Sequence, residues 1–273
     1  MTSPDRRANG GEGPGDRMAW VGAALRKELA AFFFSPAALL LAAVYLYLAG
    51  YLFRFHLAFY HSLSIQALEE GMGGSGPGLS DGLVGPFFMT LGLLGVLLQP
   101  LLAARLTARR SKESPLEWSL RERPQQVVVA SVRFLMVFVY ALVLLVPTVA
   151  AFLYLHRVAG AGGGRIAGGY AGLLLLGGAS SAVTAFFSGR CARPIAAAGF
   201  TSGTLLLFWV LSWGGVLPLW ARSIREAFSI QERLGAFAAG AFGLGDVLYF
   251  VAWALLFLLA AGVHRSGVGR AEG

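Results

Sequence analysis

Residues 105–126 read RLTARRSKESPLEWSLRERPQQ, a polar stretch set between two long apolar runs. It carries Arg105, Arg109, Arg110, Lys112, Arg121 and Arg123, and Lys and Arg beside short loops resist translocation across a bilayer. The stretch therefore reads as the cytoplasmic handle of a multi-pass membrane protein, and its side fixes the side of every other loop.

Within the handle, residues 113–123 fit a short helix. Leu116 and Leu120 fall four apart on one face, and Glu117 precedes Arg121 in the favourable order for an i,i+4 pair. Pro115 suits a first helical turn and Pro124 a stop. Two readings stand: a solvated connector whose amphipathicity is incidental, or a helix that docks on a cytoplasmic partner.

Composition agrees with the bilayer. Of 273 residues 56% are hydrophobic and 13% charged, against about 25% charged in ordinary soluble domains. The net charge of +8 does not indicate nucleic acid, because the basic residues flank apolar spans and form no aromatic-interleaved patch. A lone cysteine, Cys191, excludes an intrachain disulfide and a thiolate metal cluster. Residues 1–18 are rich in Gly, Pro and charge with no apolar h-region, and read as a disordered tail rather than a signal peptide. Residues 266–273 read as a second tail.

Between the tails the chain reads as an all-α membrane domain, residues 19–265. Residues 19–34 form an amphipathic helix lying in the cytoplasmic interface, with Val21, Leu25, Leu29 and Phe32 opposite Arg26, Lys27 and Glu28. Ser35-Pro36 then breaks the direction. Six transmembrane helices follow at about 36–53, 83–104, 134–155, 170–187, 194–220 and 247–263. The outer loop after the first holds His56, His61, Glu69, Glu70 and Asp81; without a recognised ligand spacing these are loop residues before they are a metal site. Gln99-Pro100 bends the second span and Pro147 the third. Gly177 to Ser181 in span 4 are small residues suited to close helix approach. A similar stretch in span 5, with Thr201, Ser202 and Thr204, either packs helices or lines a path or dimer interface. Residues 221–246 read as short extracytoplasmic helices, with Ser229 and Glu232 as a capping box ahead of Leu234 and Phe237. In this arrangement the outer segments hold only Arg54, Arg157, Arg165, Arg222, Arg225 and Arg233 of 22 Lys and Arg, so both termini are placed in the cytoplasm.

The chemistry available is limited. None of the 14 acidic residues falls within the six spans, and the histidines lie in loops or at a span end, whereas proton-coupled transport and intramembrane metalloproteolysis need ionisable or ligating groups there. No G-x-x-x-x-G-K-[ST] occurs and the only lysines are Lys27 and Lys112, so ATP, if used, is bound by a partner.

Over residues 25–259 the chain resembles the membrane subunit of ABC-2 type exporters, most closely the gliding-motility-associated permeases and the permease of nitrous-oxide-reductase maturation. The resemblance rests on RKELAAFFFSPAALLL, LLAARLTARRSKESPLEWSL, GGYAGLLLLGGASSAVTAFFSG and FSIQERLGAFAAGAFGLGDVLYF, in that order. It implies an inner-membrane subunit without catalytic, cofactor or metal residues of its own. Its partners would be an ABC ATPase, a second permease copy or paralogue, and an auxiliary membrane protein with a large extracytoplasmic domain. It also implies that Leu116, Glu117, Trp118, Leu120 and Arg121 form the coupling helix on the ATPase. Acidic residues usual upstream in that family are replaced here by Arg109 and Arg110. A non-transporting anchor or sensor that recruits a regulatory partner is the alternative, and a membrane enzyme comes third.

Overall fold

The computed structural model describes residues 26, 30–69, 78–110, 126–160, 162–211 and 228–263. Among these the chain is helical, without strands. α1 is Pro36–Glu69; a single π-helical turn, Ser80–Val84, leads into α2, Gly85–Arg110. α3 is Gln126–Ala159, α4 Gly163–Arg190, α5 Pro194–Val210, α6 Ile230–Ala239 and α7 Leu244–Val263. Five of these stretches, Pro36–Glu69, Asp81–Ala108, Ala130–Ala159, Gly163–Arg190 and Leu244–Ala261, are long and apolar enough to cross a membrane; α5 is a shorter apolar helix of 17 residues. The chain is a multi-pass membrane protein. Residues 111–125 of the handle, the interfacial helix apart from Arg26 and residues 30–34, the stretch 212–227 and both tails lie outside the described residues.

Several helices run past the segments expected of them. α1 continues to Glu69, so His56, His61 and Glu69 are on a helix and not in a loop. The reason is local: residues 54–69 contain neither Pro nor Gly, and scattered polar side chains do not end a helix. α3 begins at Gln126 and holds Arg133 inside it, buried. A Cβ on Gly189 would sit 3.2 Å from Arg133 Nη1, so the guanidinium lies against the last turn of α4, where helix carbonyls favour a cation. Ser35 does break the chain: the turn there ends one helix, and Ser35 Oγ accepts from the Ala38 amide at the start of α1 (3.3 Å).

α4 is the hub, packing against α2, α3, α5, α6 and α7. Its small residues determine who approaches. Gly168 and Gly172 are spaced G-x-x-x-G, the arrangement that lets helices close up in lipid, and α6 lies in the groove they leave. A Cβ on Gly168 would stand 2.6 Å from the Phe237 carbonyl, and one on Gly172 2.7 Å from Phe237 Cβ. α6 starts where the sequence indicates: Ser229 Oγ accepts from the Glu232 amide (3.1 Å), and Gly240 ends it in the left-handed region at φ 73°. The apolar side of α6, Ile230, Leu234 and Phe237, is buried in the bundle, not laid on its surface. Replacing Ser229 by Ala removes one cap, worth about 1 kcal/mol. Thermal unfolding in detergent should show a melting temperature lower by about 3 °C; no change would mean that the cap does not hold α6.

The second packing centre is aromatic. Phe152 of α3 meets Phe87 and Phe88 of α2 at ring-centroid distances of 5.4 and 5.1 Å, Tyr170 of α4 at 6.1 Å and Phe53 of α1 at 5.9 Å. These rings matter most for α1, which packs mainly on α2, its π turn and α3 and, among the described residues, buries just Ala38, Tyr45 and Ala49.

Candidate functional site

The antiparallel order of the long helices puts the ends of α2 and α4 beside the starts of α1 and α3. The arginines gathered there are held by backbone and rings. Arg105 donates through Nη2 to the Phe32 carbonyl and Ser35 Oγ and stacks 4.3 Å over the Phe32 ring. Tyr140 of α3 packs edge-on to Phe32 (5.8 Å) and donates to the Ala38 carbonyl (2.6 Å). Arg190 donates to the Ala260 carbonyl of α7 and stacks 3.9 Å over Phe186. The start of α1 and the residues before it are thus tied to α2 and α3, the two helices that flank the handle, and α4 is tied to α7 at the same end.

At the opposite end arginines meet carboxylates. Arg165 of α4 pairs with Asp81 of the π turn. Arg233 of α6 pairs with Asp246 of α7 (2.7 Å), whose second oxygen accepts from the Gly243 amide (2.8 Å) and so caps α7. Tyr249 donates to the Phe228 carbonyl (2.8 Å) under Arg233. Among the described residues the acidic side chains are Glu69, Asp81, Glu232 and Asp246, all at this end.

Between the ends lies a buried network of uncharged groups. Gln99 Nε2 donates to Ser180 Oγ (3.1 Å) and Gln99 Oε1 accepts from Thr184 Oγ1 (2.7 Å). Pro100 follows Gln99 inside α2 and has no N–H to offer the Val96 carbonyl. Sequence reasoning saw only a bend at Gln99-Pro100; a carboxamide inside an apolar run, which lipid penalises unless it is paired, was the signal for the network. Tyr170 donates to Thr148 Oγ1 (3.0 Å) nearer the carboxylate end.

Of the expected site residues, Leu116, Glu117, Trp118, Leu120 and Arg121 lie outside the described residues. Thr201 is fully buried within the chain, and its hydroxyl, like that of Ser181, makes no hydrogen bond among the described residues. Ser202 and Thr204 are half-buried on α5. Of the small residues Gly177 to Ser181, Ala179, Ser180 and Ser181 are buried in the bundle, while Gly177 and Gly178 have only ordinary contact with Phe138; the tightest approaches along α4 are at Gly168, Gly169 and Gly172. His56 accepts or donates at Nε2 to Thr90 (2.9 Å), and no group of three His, Cys, Asp or Glu is poised for a metal among the described residues. Cys191 sits in the turn between α4 and α5, where burial pushes its thiol above the usual range and keeps it protonated at neutral pH.

No known protein family, curated protein or solved structure matches this chain.

Proposed function

We propose that this chain is the membrane subunit of an ABC-2 type exporter: a six-span permease of the bacterial inner membrane with both termini in the cytoplasm. It works as a dimer, with itself or a paralogue, and an auxiliary membrane protein with a large extracytoplasmic domain completes the assembly. ATP is bound by a separate ATPase subunit, and conformational change in that subunit moves the handle.

One observation carries the reading. The handle joins α2 to α3 at the end where Arg105, Arg133 and Arg190 are gathered and held, and the positive-inside rule assigns such an end to the cytoplasm. A push on the handle therefore acts directly on two long helices, and through Arg105 on the entry to a third. Leu116, Glu117, Trp118, Leu120 and Arg121 supply the docking face; the leucine pair gains nothing from lipid there, and burying each in a partner is worth about 1.5–3 kcal/mol.

The test is reconstitution with the cognate ABC ATPase. Leu116→Asp/Leu120→Asp should abolish co-purification of the ATPase and permease-stimulated ATP hydrolysis while membrane insertion survives. Glu117→Ala should weaken both by about tenfold if its carboxylate is buried in the contact. Unimpaired coupling in the double variant would return the segment to a connector or to an anchor for another partner. In a Cys191→Ser background, cysteine at Gly74 should react with an impermeant maleimide in intact cells and cysteine at Ser111 should not; the reverse pattern sinks the topology.

A further inference from the structure

A cavity of about 40 Å³ lies among α1, α2, α3 and α4, with Tyr45, Leu91, Gly95, Gln99, Leu144 and Ser180 in its wall. At 1.5 Å per residue, Tyr45 stands about 13 Å from Pro36, Gln99 about 16 Å from Arg110 and Ser180 about 15 Å from Arg190, the ends of α1, α2 and α4 on the handle side. That is half of the roughly 30 Å hydrocarbon layer, so the cavity sits at the bilayer midplane, where there is no water for a polar group to turn to.

Two donors there are unspent. Gln99 is 2% exposed; one N–H of its Nε2 goes to Ser180 and its oxygen is taken by Thr184, which leaves the second N–H without a hydrogen bond among the described residues. Tyr45 is 6% exposed, and its hydroxyl also makes none. Ser180 Oγ, the hydroxyl next to them, takes Gln99 in one of its two lone pairs and gives its own hydrogen to the Leu176 carbonyl (2.8 Å). No charged side chain lines the cavity. Its α1 wall belongs to the helix that is held least and faces the bilayer.

The geometry points to a midplane binding site for a hydrocarbon chain bearing an uncharged hydrogen-bond acceptor, an ester or amide carbonyl, that enters from the lipid beside α1. Gln99 and Tyr45 donate to the carbonyl oxygen, and the leucines cover the adjoining carbons. The volume is that of about three water-sized spheres, enough for a carbonyl and a few methylenes; the rest of the chain stays in lipid. A charged headgroup is turned away, since nothing in the wall would compensate its desolvation. The site depends on the membrane-spanning fold alone and not on any ATPase.

The experiment uses the full chain in nanodiscs of diether lipid, which carries no ester carbonyl of its own. The probes are a diazirine-bearing fatty acid methyl ester and the diazirine-bearing alkane of the same length, photolysed and mapped by peptide mass spectrometry. Ester adducts should concentrate on the helix segments around Tyr45 and Gln99 and exceed alkane adducts there by about tenfold. Tyr45→Phe, which deletes one oxygen, should remove most of that excess. Gly95→Leu should remove it too: a Cβ at Gly95 meets nothing within 4 Å, and the side chain enters the cavity. Gly199→Leu on α5, equally open, should leave it intact. Equal labelling by ester and alkane, adducts spread evenly over lipid-facing helices, or an excess that survives both Tyr45→Phe and Gly95→Leu would overturn the site.

Discussion

Gly168→Leu should unseat α6 and lower the melting temperature of the purified chain by about 10 °C. A Cβ on Gly168 meets the backbone carbonyl of Phe237 at 2.6 Å and the Phe242 ring at 3.3 Å. Real Cβ atoms do not approach so closely, and the carbonyl cannot rotate away as a side chain would. α6 must therefore slide off α4, which exposes the faces of Leu234 and Phe237 that α2 and α4 now cover. Overpacking of this kind costs about 3 kcal/mol, and at 2–4 °C per kcal/mol that gives roughly the stated fall. The control has the opposite sign. Gly199 on α5 has open space around its missing Cβ, so Gly199→Ala adds helix propensity worth about 0.5–1 kcal/mol and should raise the midpoint slightly. If thermal unfolding shows Gly168→Leu and Gly199→Ala behaving alike, the glycine groove is not what seats α6.

Phe152→Ala should cost about 2–3 kcal/mol and release α1 before the other helices. In water a deletion of this size in a core costs 3–5 kcal/mol. Part of that is transfer from water, and in a bilayer the separated helix faces lipid tails as apolar as the core it left. What remains is the lost dispersion of a fully buried ring against Phe53, Phe87, Phe88 and Tyr170. Since Phe53 is the α1 ring in that cluster, α1 loses most. A cysteine replacing buried Ala49 in a Cys191→Ser background should be alkylated severalfold faster in the Phe152→Ala protein. An unchanged alkylation rate would show that α1 is held by something other than the aromatic cluster.

The membrane-crossing character of the chain was legible because apolar length is a one-dimensional signal: the second span, expected at 83–104, lies within the apolar stretch Asp81–Ala108, and the last, at 247–263, within Leu244–Val263. Less legible were helix ends. Arg133 looked like the edge of the hydrocarbon segment because a charge in lipid is expensive; the helix itself starts earlier, at Gln126, and Arg133 is buried against the last turn of α4, a partner far away in sequence. The start of α6 was readable from Ser229 and Glu232 because a cap is local. Its burial was not read, although GGYAG at 168–172 held the groove, because which of several small-residue stretches receives a helix is decided by topology. Likewise Gln99 was visible as a residue, but Ser180 and Thr184 become its partners only through α2–α4 packing.

The length of α1 has its own consequence for the surrounding lipid. Its 34 residues make a rod of about 51 Å, and a typical tilt of about 20° still leaves it spanning about 48 Å along the membrane normal. The hydrocarbon layer takes up only about 30 Å. Because Ser35, Arg105 and Tyr140 fasten the Pro36 end, the surplus emerges at the Glu69 end, where Phe59, Ile65 and Leu68 are exposed. A thicker bilayer covers more of those side chains and a thinner one strands them in water, so acyl-chain length becomes a variable that sets how far this helix stands out of the membrane.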